Sequence, residues 1–303
     1  MTRTEGQRYH HETGIRESRH TRAGIVGCVP PTSPSSWSAP FDGDLAADLA
    51  LALRLADAAD AVSMAKFDVA DLEIEVKADS SHVTEADLAT ERAIRGLLET
   101  ERPDDGILGE EFGTSGDSRR QWIIDPIDGT ANYLKGIPMW TTLISLAIDG
   151  TPRVGVASQP AIGRRWWAAT GLGAWTNTPT GDARRLAVSA VDSISDASAS
   201  FQSITQWDDA GHIEPLLRLS RAVWRDRGYG DAWPYMLLAE GRLEFVAEFD
   251  VKPYDIAALV PIITEAGGRF TSFDGDDSIS ELSALATNGI LHDDFLRLLH
   301  SPA

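Results

Sequence analysis

The sequence predicts an α+β fold, with an N-terminal half built on an antiparallel sheet and a C-terminal half that alternates strand and helix. Three observations carry this prediction. Two apolar runs, Met139 to Ala147 and Val154 to Ser158, flank Asp149-Gly150, a dipeptide suited to a two-residue hairpin turn. Upstream, Leu45, Leu49, Leu53 and Ala56 recur at helical spacing instead. Beyond about Arg185, strand-like and helix-like runs take turns.

In chain order, residues 1–40 differ from the rest. They carry five Arg against three Glu, then Pro30-Pro31 and a Ser/Pro-rich stretch, and read as a disordered tail. Residues 41–185 make the N-terminal half and 186–303 the C-terminal half. Asp44 suits the N-cap of a first helix running to about Phe67. Leu72 to Lys77 alternates as a short strand. Thr84, with Asp87 three residues on, opens a second helix ending near Glu101. Short strands are predicted at Gly109 and up to Asp125, where Pro126 should stop pairing. Trp166 to Ala169 and Gly171 to Trp175 continue the sheet. In the second half, Ala197 to Phe201 reads as a strand, His212 to Leu219 as a helix, and a further helix ends at Gly241. Leu243 to Ala247 reads as a strand. Asp255 to Ala266 reads as one helix, closed by Gly267-Gly268 and bent by Pro261.

Bulk properties exclude several functions. The 27 Lys and Arg against 46 Asp and Glu leave a net charge of −19, which argues against general binding of nucleic acid or anionic membrane. A single cysteine, Cys28, permits no intrachain disulfide and fits a reducing cytoplasm. No apolar run approaches the roughly 18 residues of a membrane span. Ile25-Val26-Gly27-Cys28 follows charged residues rather than an apolar stretch, so it is read as no signal.

The chemistry concentrates in Trp122-Ile123-Ile124-Asp125-Pro126-Ile127-Asp128-Gly129-Thr130. Two carboxylates at a strand end suit a hard cation, and the N–H groups and hydroxyl of Gly129-Thr130 at a helix start suit a phosphate. Gly109-Glu110-Glu111 adds carboxylates upstream. Asp255 and Glu265-Ala266-Gly267-Gly268 follow downstream.

Together these segments resemble the inositol monophosphatase family of Mg²⁺-dependent, Li⁺-sensitive phosphatases, over about residues 44–300. Gly109 to Gly113, Arg164 to Ala168, Gly228 to Asp231 and Ala286 to Asp293 are similar to its histidinol-phosphate phosphatase branch of actinobacterial type. The resemblance implies a layered α/β sandwich, two or three Mg²⁺ ions and a homodimer; charge and cysteine usage point to the cytoplasm and away from nucleic-acid or membrane partners. It assigns Glu110, Asp125, Asp128 and Asp255 as side-chain metal ligands and Ile127 as a backbone one. Asp87 and Thr130 would support the attacking water, with Gly129 and Thr130 holding phosphate. Lys77 would lie on a mobile loop. The implied mechanism is in-line attack by metal-activated water.

Other readings stand beside these. Asp255 suits a helix cap, and this chain has Tyr254 where the family usually has Trp, and an unexpected Pro253. Thr84 and Asp87 suit a capping box. Glu248 matches a substrate-contacting Glu of the family. Asp231 either joins it in binding an ammonium or imidazole, or caps the next helix. Arg225 either binds substrate or is solvated. Trp166-Trp167 reads as core or dimer surface. The favoured substrate is L-histidinol phosphate. An inositol or other small sugar phosphate is the alternative, and a regulatory binding protein on the same fold is the reading from another class.

Overall fold

A computed structural model describes residues 44–68, 74–76, 82–178 and 180–301. The tail and Lys77 lie outside the described residues. Helix α1 (Leu45–Lys66) is capped by Asp44, whose carboxylate accepts the Ala46 N–H at 3.0 Å. Strands β1 (Ile74–Val76) and β2 (His82–Thr84) pair antiparallel and lead into α2 (Glu85–Glu101).

Eight strands form the first sheet: β3 (Gly106–Gly109), β4 (Gly113–Ser115), β5 (Arg120–Asp128), β6 (Thr141–Ile148), β7 (Thr151–Gln159), β8 (Arg164–Ala169), β9 (Gly173–Asn177) and β10 (Ala183–Arg185). Their order is β10-β9-β8-β7-β6-β5-β3-β4, with β3 and β5 parallel and the other pairs antiparallel. The β6–β7 hairpin turns at Asp149 and Gly150, both at positive φ (52° and 76°), the geometry that matches the twist of the flanking strands.

The second sheet contains β11 (Ser198–Phe201), β12 (Arg225–Gly228), β13 (Phe245–Phe249), β14 (Arg269–Thr271) and β15 (Ser283–Thr287), ordered β12-β11-β13-β15-β14. The helices are α3 (Thr130–Leu134), α4 (Ile204–Asp209), α5 (Ile213–Ala222), α6 (Trp233–Ala239), α7 (Pro253–Ile256), α8 (Leu259–Glu265) and α9 (His292–His300).

Period-two alternation builds the layers. Trp122 and Ile124 of β5 face α1 and α2 in one core, whereas Ile123 faces the opposite core with α6, α8 and Val246 of β13. Phe245 and Ala247 of β13 face a third core with α5 and α9. The result is helix, sheet, helix, sheet, helix: the layered sandwich expected of the sequence.

Two expectations fail. First, β5 does not stop before Pro126. Asp125 pairs with Leu143 and Asp128 with Thr141, three residues against two, so a bulge absorbs the proline and pairing resumes. Second, the helix expected over Asp255 to Ala266 is two helices. Pro261 has no N–H for the carbonyl of Ala257, four residues back, and the division falls at Ala257-Ala258 between α7 and α8. Strand β10 is a short exposed edge and α4 is under two turns, so neither has the length to show in periodicity.

Candidate active site

The bulge in β5 aims the site. Asp125 is buried and its Oδ1 accepts the Ile127 N–H at 3.0 Å. Thr142 Oγ1 donates to the Pro126 carbonyl at 2.8 Å and pins the bulge to β6. Asp128, three residues on, turns toward the second half, where its Oδ2 accepts the Ala232 N–H ahead of α6 at 2.7 Å. Gly129 has φ +86°, and a β carbon there would stand 3.1 Å from Asp231 Oδ2 and 3.2 Å from the Met139 carbonyl. Only glycine suits both the conformation and the space. Thr130 then begins α3, which has five residues.

Asp87 completes the capping box and also stands beside Thr130. Its Oδ2 accepts from Thr84 N at 2.8 Å and Thr84 Oγ1 at 2.6 Å, completing the capping box. Its Oδ1 lies 3.4 Å from Thr130 Oγ1. Thr130 Oγ1 also lies 3.0 Å from the Ile127 carbonyl, so its single proton serves one acceptor or the other.

Asp255 is the third residue of α7, and its Oδ2 accepts the Lys252 N–H at 2.7 Å. Pro253 at the first helical position needs no N–H partner, so this unexpected proline is compatible with the cap. Asp231 does not cap α6. It sits at φ +56° and its Oδ2 accepts from Asn132 Nδ2 at 3.0 Å. Glu248 is buried at the end of β13; Tyr235 Oη donates to its Oε2 at 3.2 Å, and its Oε1 has no protein partner. Arg225 is exposed on β12 and donates to Tyr229 Oη at 2.9 Å. Trp166 lies in the core shared with α6 and α8, and Trp167 is half-buried against the opposite core of α1 and α2.

Electrostatically this is a cluster of acids held out of water. Burial, then Glu110, Asp128, Asp255 and Asp87, push the Asp125 carboxyl well above its ordinary range. Burial, then Asp231 and Asp255, do the same to Asp128. Burial raises Asp255 to about 7, Asp87 to about 6 and Asp231 to about 6. It also raises Glu248 well above the usual range, with Asp231 adding to it. Among the described residues no three such side chains stand at ion-holding spacing. Asp125, Asp128 and Asp255 each accept a backbone N–H on one oxygen, which fixes the carboxylates in place. An all-oxygen set of this charge fits a hard divalent cation.

Sequence reasoning missed the support behind Glu110. The carboxylate of Glu91 accepts N–H bonds from Glu111 at 2.8 Å and Phe112 at 3.3 Å, and Arg95 Nε pairs with it at 2.7 Å. The available signal was Glu91 and Arg95 at i,i+4 on α2.

Residues 44–301 match the sequence profile of the inositol monophosphatase family. The chain belongs to that family. Membership makes it a phosphoric monoester hydrolase. It is 49% identical over 257 residues to a histidinol-phosphatase of Streptomyces coelicolor, covering 84% of this chain and 97% of the relative. It is 48% identical to a histidinol-phosphatase of Mycobacterium tuberculosis, covering 84% and 98%. An inositol monophosphatase structure from Zymomonas mobilis superposes with a TM-score of 0.73 at 32% identity, covering 85% of this chain and 99% of the other. No described helix is long and apolar enough to cross a membrane.

Proposed function

We propose that the protein is a Mg²⁺-dependent phosphomonoesterase that hydrolyses L-histidinol phosphate to L-histidinol and phosphate, in the cytoplasm and as a homodimer. The observation that carries the reading is the buried acid cluster at the β5 bulge, with Asp87 and Thr130 beside it. The names of the relatives at 49% and 48% identity support the substrate. So does the charge of Asp231 and Glu248, two acids suited to the cationic leaving group of histidinol phosphate.

Glu110, Asp125, Asp128, Asp255 and the Ile127 carbonyl would hold two or three Mg²⁺ ions, with Li⁺ as an inhibitor. Magnesium supplies charge neutralisation at the phosphate oxygens and Lewis-acid activation of water. The protein's own groups do the rest. The N–H groups of Gly129 and Thr130 orient the phosphate. Thr130 Oγ1 accepts a proton from the attacking water as its own proton passes to Asp87 Oδ1, the neighbour whose affinity for protons burial has raised. Lys77 belongs to the loop assigned to closing over the site. Arg225 is assigned to the substrate's rim.

Phosphate release decides the matter. kcat/KM for histidinol phosphate should exceed that for inositol 1-phosphate by at least tenfold and vanish in Asp125→Asn. The Zymomonas mobilis structure favours a second reading, inositol phosphate hydrolysis with the same mechanism. The reverse preference would establish it.

A further inference from the structure

Gln202 follows β11, and its side-chain carbonyl Oε1 is buried without a protein partner. The orientation of this amide is fixed. Its Nε2 donates to the Phe249 carbonyl at 2.6 Å, and exchanging the two ends would set oxygen against oxygen. An orphan acceptor at a buried position costs free energy unless something donates to it.

A second orphan stands on the neighbouring strand. β11 and β13 are parallel, with Ser200 opposite Val246 and Phe201 opposite Ala247, so continued register sets Gln202 beside Glu248. Side chains alternate across a sheet. Phe201 and Ala247 face the α5–α9 core, while Val246 faces the core of α6 and α8. Glu248 therefore falls on the face directed at the catalytic half, and Gln202, at the bend that ends β11, reaches the same end of β13 through its bond to Phe249. The Oε1 of Glu248 is likewise a buried acceptor with no protein partner. The loop carrying Asp231 closes the same corner: a β carbon on Gly230 would stand 3.7 Å from Gln202 Cα. The corner thus offers acceptors from Gln202, Glu248 and Asp231.

We infer that Gln202 is a specificity-determining residue whose side-chain carbonyl accepts the imidazole N–H of the leaving group, while the acids beside it take the ammonium. The division follows charge: carboxylates make their strongest hydrogen bonds to cationic donors, and a neutral amide carbonyl suits a neutral N–H. This rests on the histidinol phosphate reading. A site built around an N–H donor discriminates strongly against partners that lack one, because its buried acceptor is then left unpaired.

The test compares kcat/KM for histidinol phosphate with that for phenyl phosphate, whose leaving group carries no N–H, in wild type, Gln202→Met and Gln202→Leu. The preference for histidinol phosphate should fall at least tenfold in both variants. A preference retained within twofold in folded variants overturns the inference alone. A wild type without that preference overturns the substrate reading and the inference together. Should the variants fail to fold, the wild type is assayed on the two ring-N-methylated histidinol phosphates. At least one should lose tenfold or more, and both matching the parent within twofold would overturn the role of Gln202.

Discussion

Gly109 and Glu91 occupy one another's space: a β carbon on Gly109 would stand 1.8 Å from Glu91 Oε1. The carboxylate cannot swing aside, because it is buried and bonded to Glu111 N, Phe112 N and Arg95 Nε. The glycine before Glu110 is thus required by packing, and the contact sets where Glu110 lies. Gly109→Ala should cost about 1–3 kcal/mol of stability, the scale of an overpacked core. It should also raise the Mg²⁺ concentration needed for half-maximal activity. Thermal melting and a magnesium titration check both; wild-type values in the variant would refute the arrangement.

Asp87 caps α2 and, in the proposed reaction, takes a proton from Thr130; one substitution separates the two. In Asp87→Asn the amide oxygen still accepts from Thr84 N and Oγ1, so the cap of α2 largely survives. What is lost is the carboxylate facing Thr130. We expect kcat to fall roughly 100-fold or more, the scale of general-base loss, with little change in melting temperature. A kcat within threefold of wild type would leave Asp87 as a cap alone.

The legible parts of this fold were those governed by neighbours in sequence. Asp44 and Thr84 cap their helices, and Asp149-Gly150 turns its hairpin, because those rules act over a few residues. The acids of the candidate site were named from the sequence through a resemblance. Their mutual arrangement was not legible. Asp128 reaches the Ala232 N–H across 104 positions, and Glu91 meets Glu111 from another element. Such contacts depend on how layers stack, which no local pattern encodes. The continuation of β5 beyond Pro126 was missed for a related reason. A bulge is a property of two strands, and β6 supplies the partner.

Protons and Mg²⁺ should compete for the acid cluster. In the metal-free protein Asp255 and Asp87 bind protons up to about pH 7 and 6, whereas the unfolded chain releases them near 3.8. Between these limits the folded state holds more protons, so these groups favour folding at low pH and lose that contribution as pH rises through their folded values. Mg²⁺ should therefore raise the melting temperature more at pH 8 than at pH 5.5, by roughly twofold or more at one fixed concentration. An equal shift at both values would mean that the ions do not bind these carboxylates.

His292 works in the opposite direction, and the charges that act on it are Arg269, Asp293 and Asp277 rather than the acid cluster. It is buried at the start of α9, with Nδ1 3.0 Å from Thr287 Oγ1 and Nε2 3.3 Å from Thr271 Oγ1. Burial, aided by Arg269, lowers its pKa to about 3 from an ordinary 6.5. The folded protein keeps the ring neutral, while the unfolded chain protonates below 6.5. Stability contributed by the neutral ring is thus full above pH 6.5 and is lost as pH falls toward 3. Comparison with His292→Gln isolates this term, because the acid cluster is common to both proteins. The stability advantage of wild type should be largest near pH 7 and shrink by about 1.4 kcal/mol per pH unit below 6.5. Denaturant unfolding of both proteins at pH 7, 6, 5 and 4.5 measures the slope. A constant difference across that range would show that the imidazole takes up its proton in the folded state as readily as in the unfolded one.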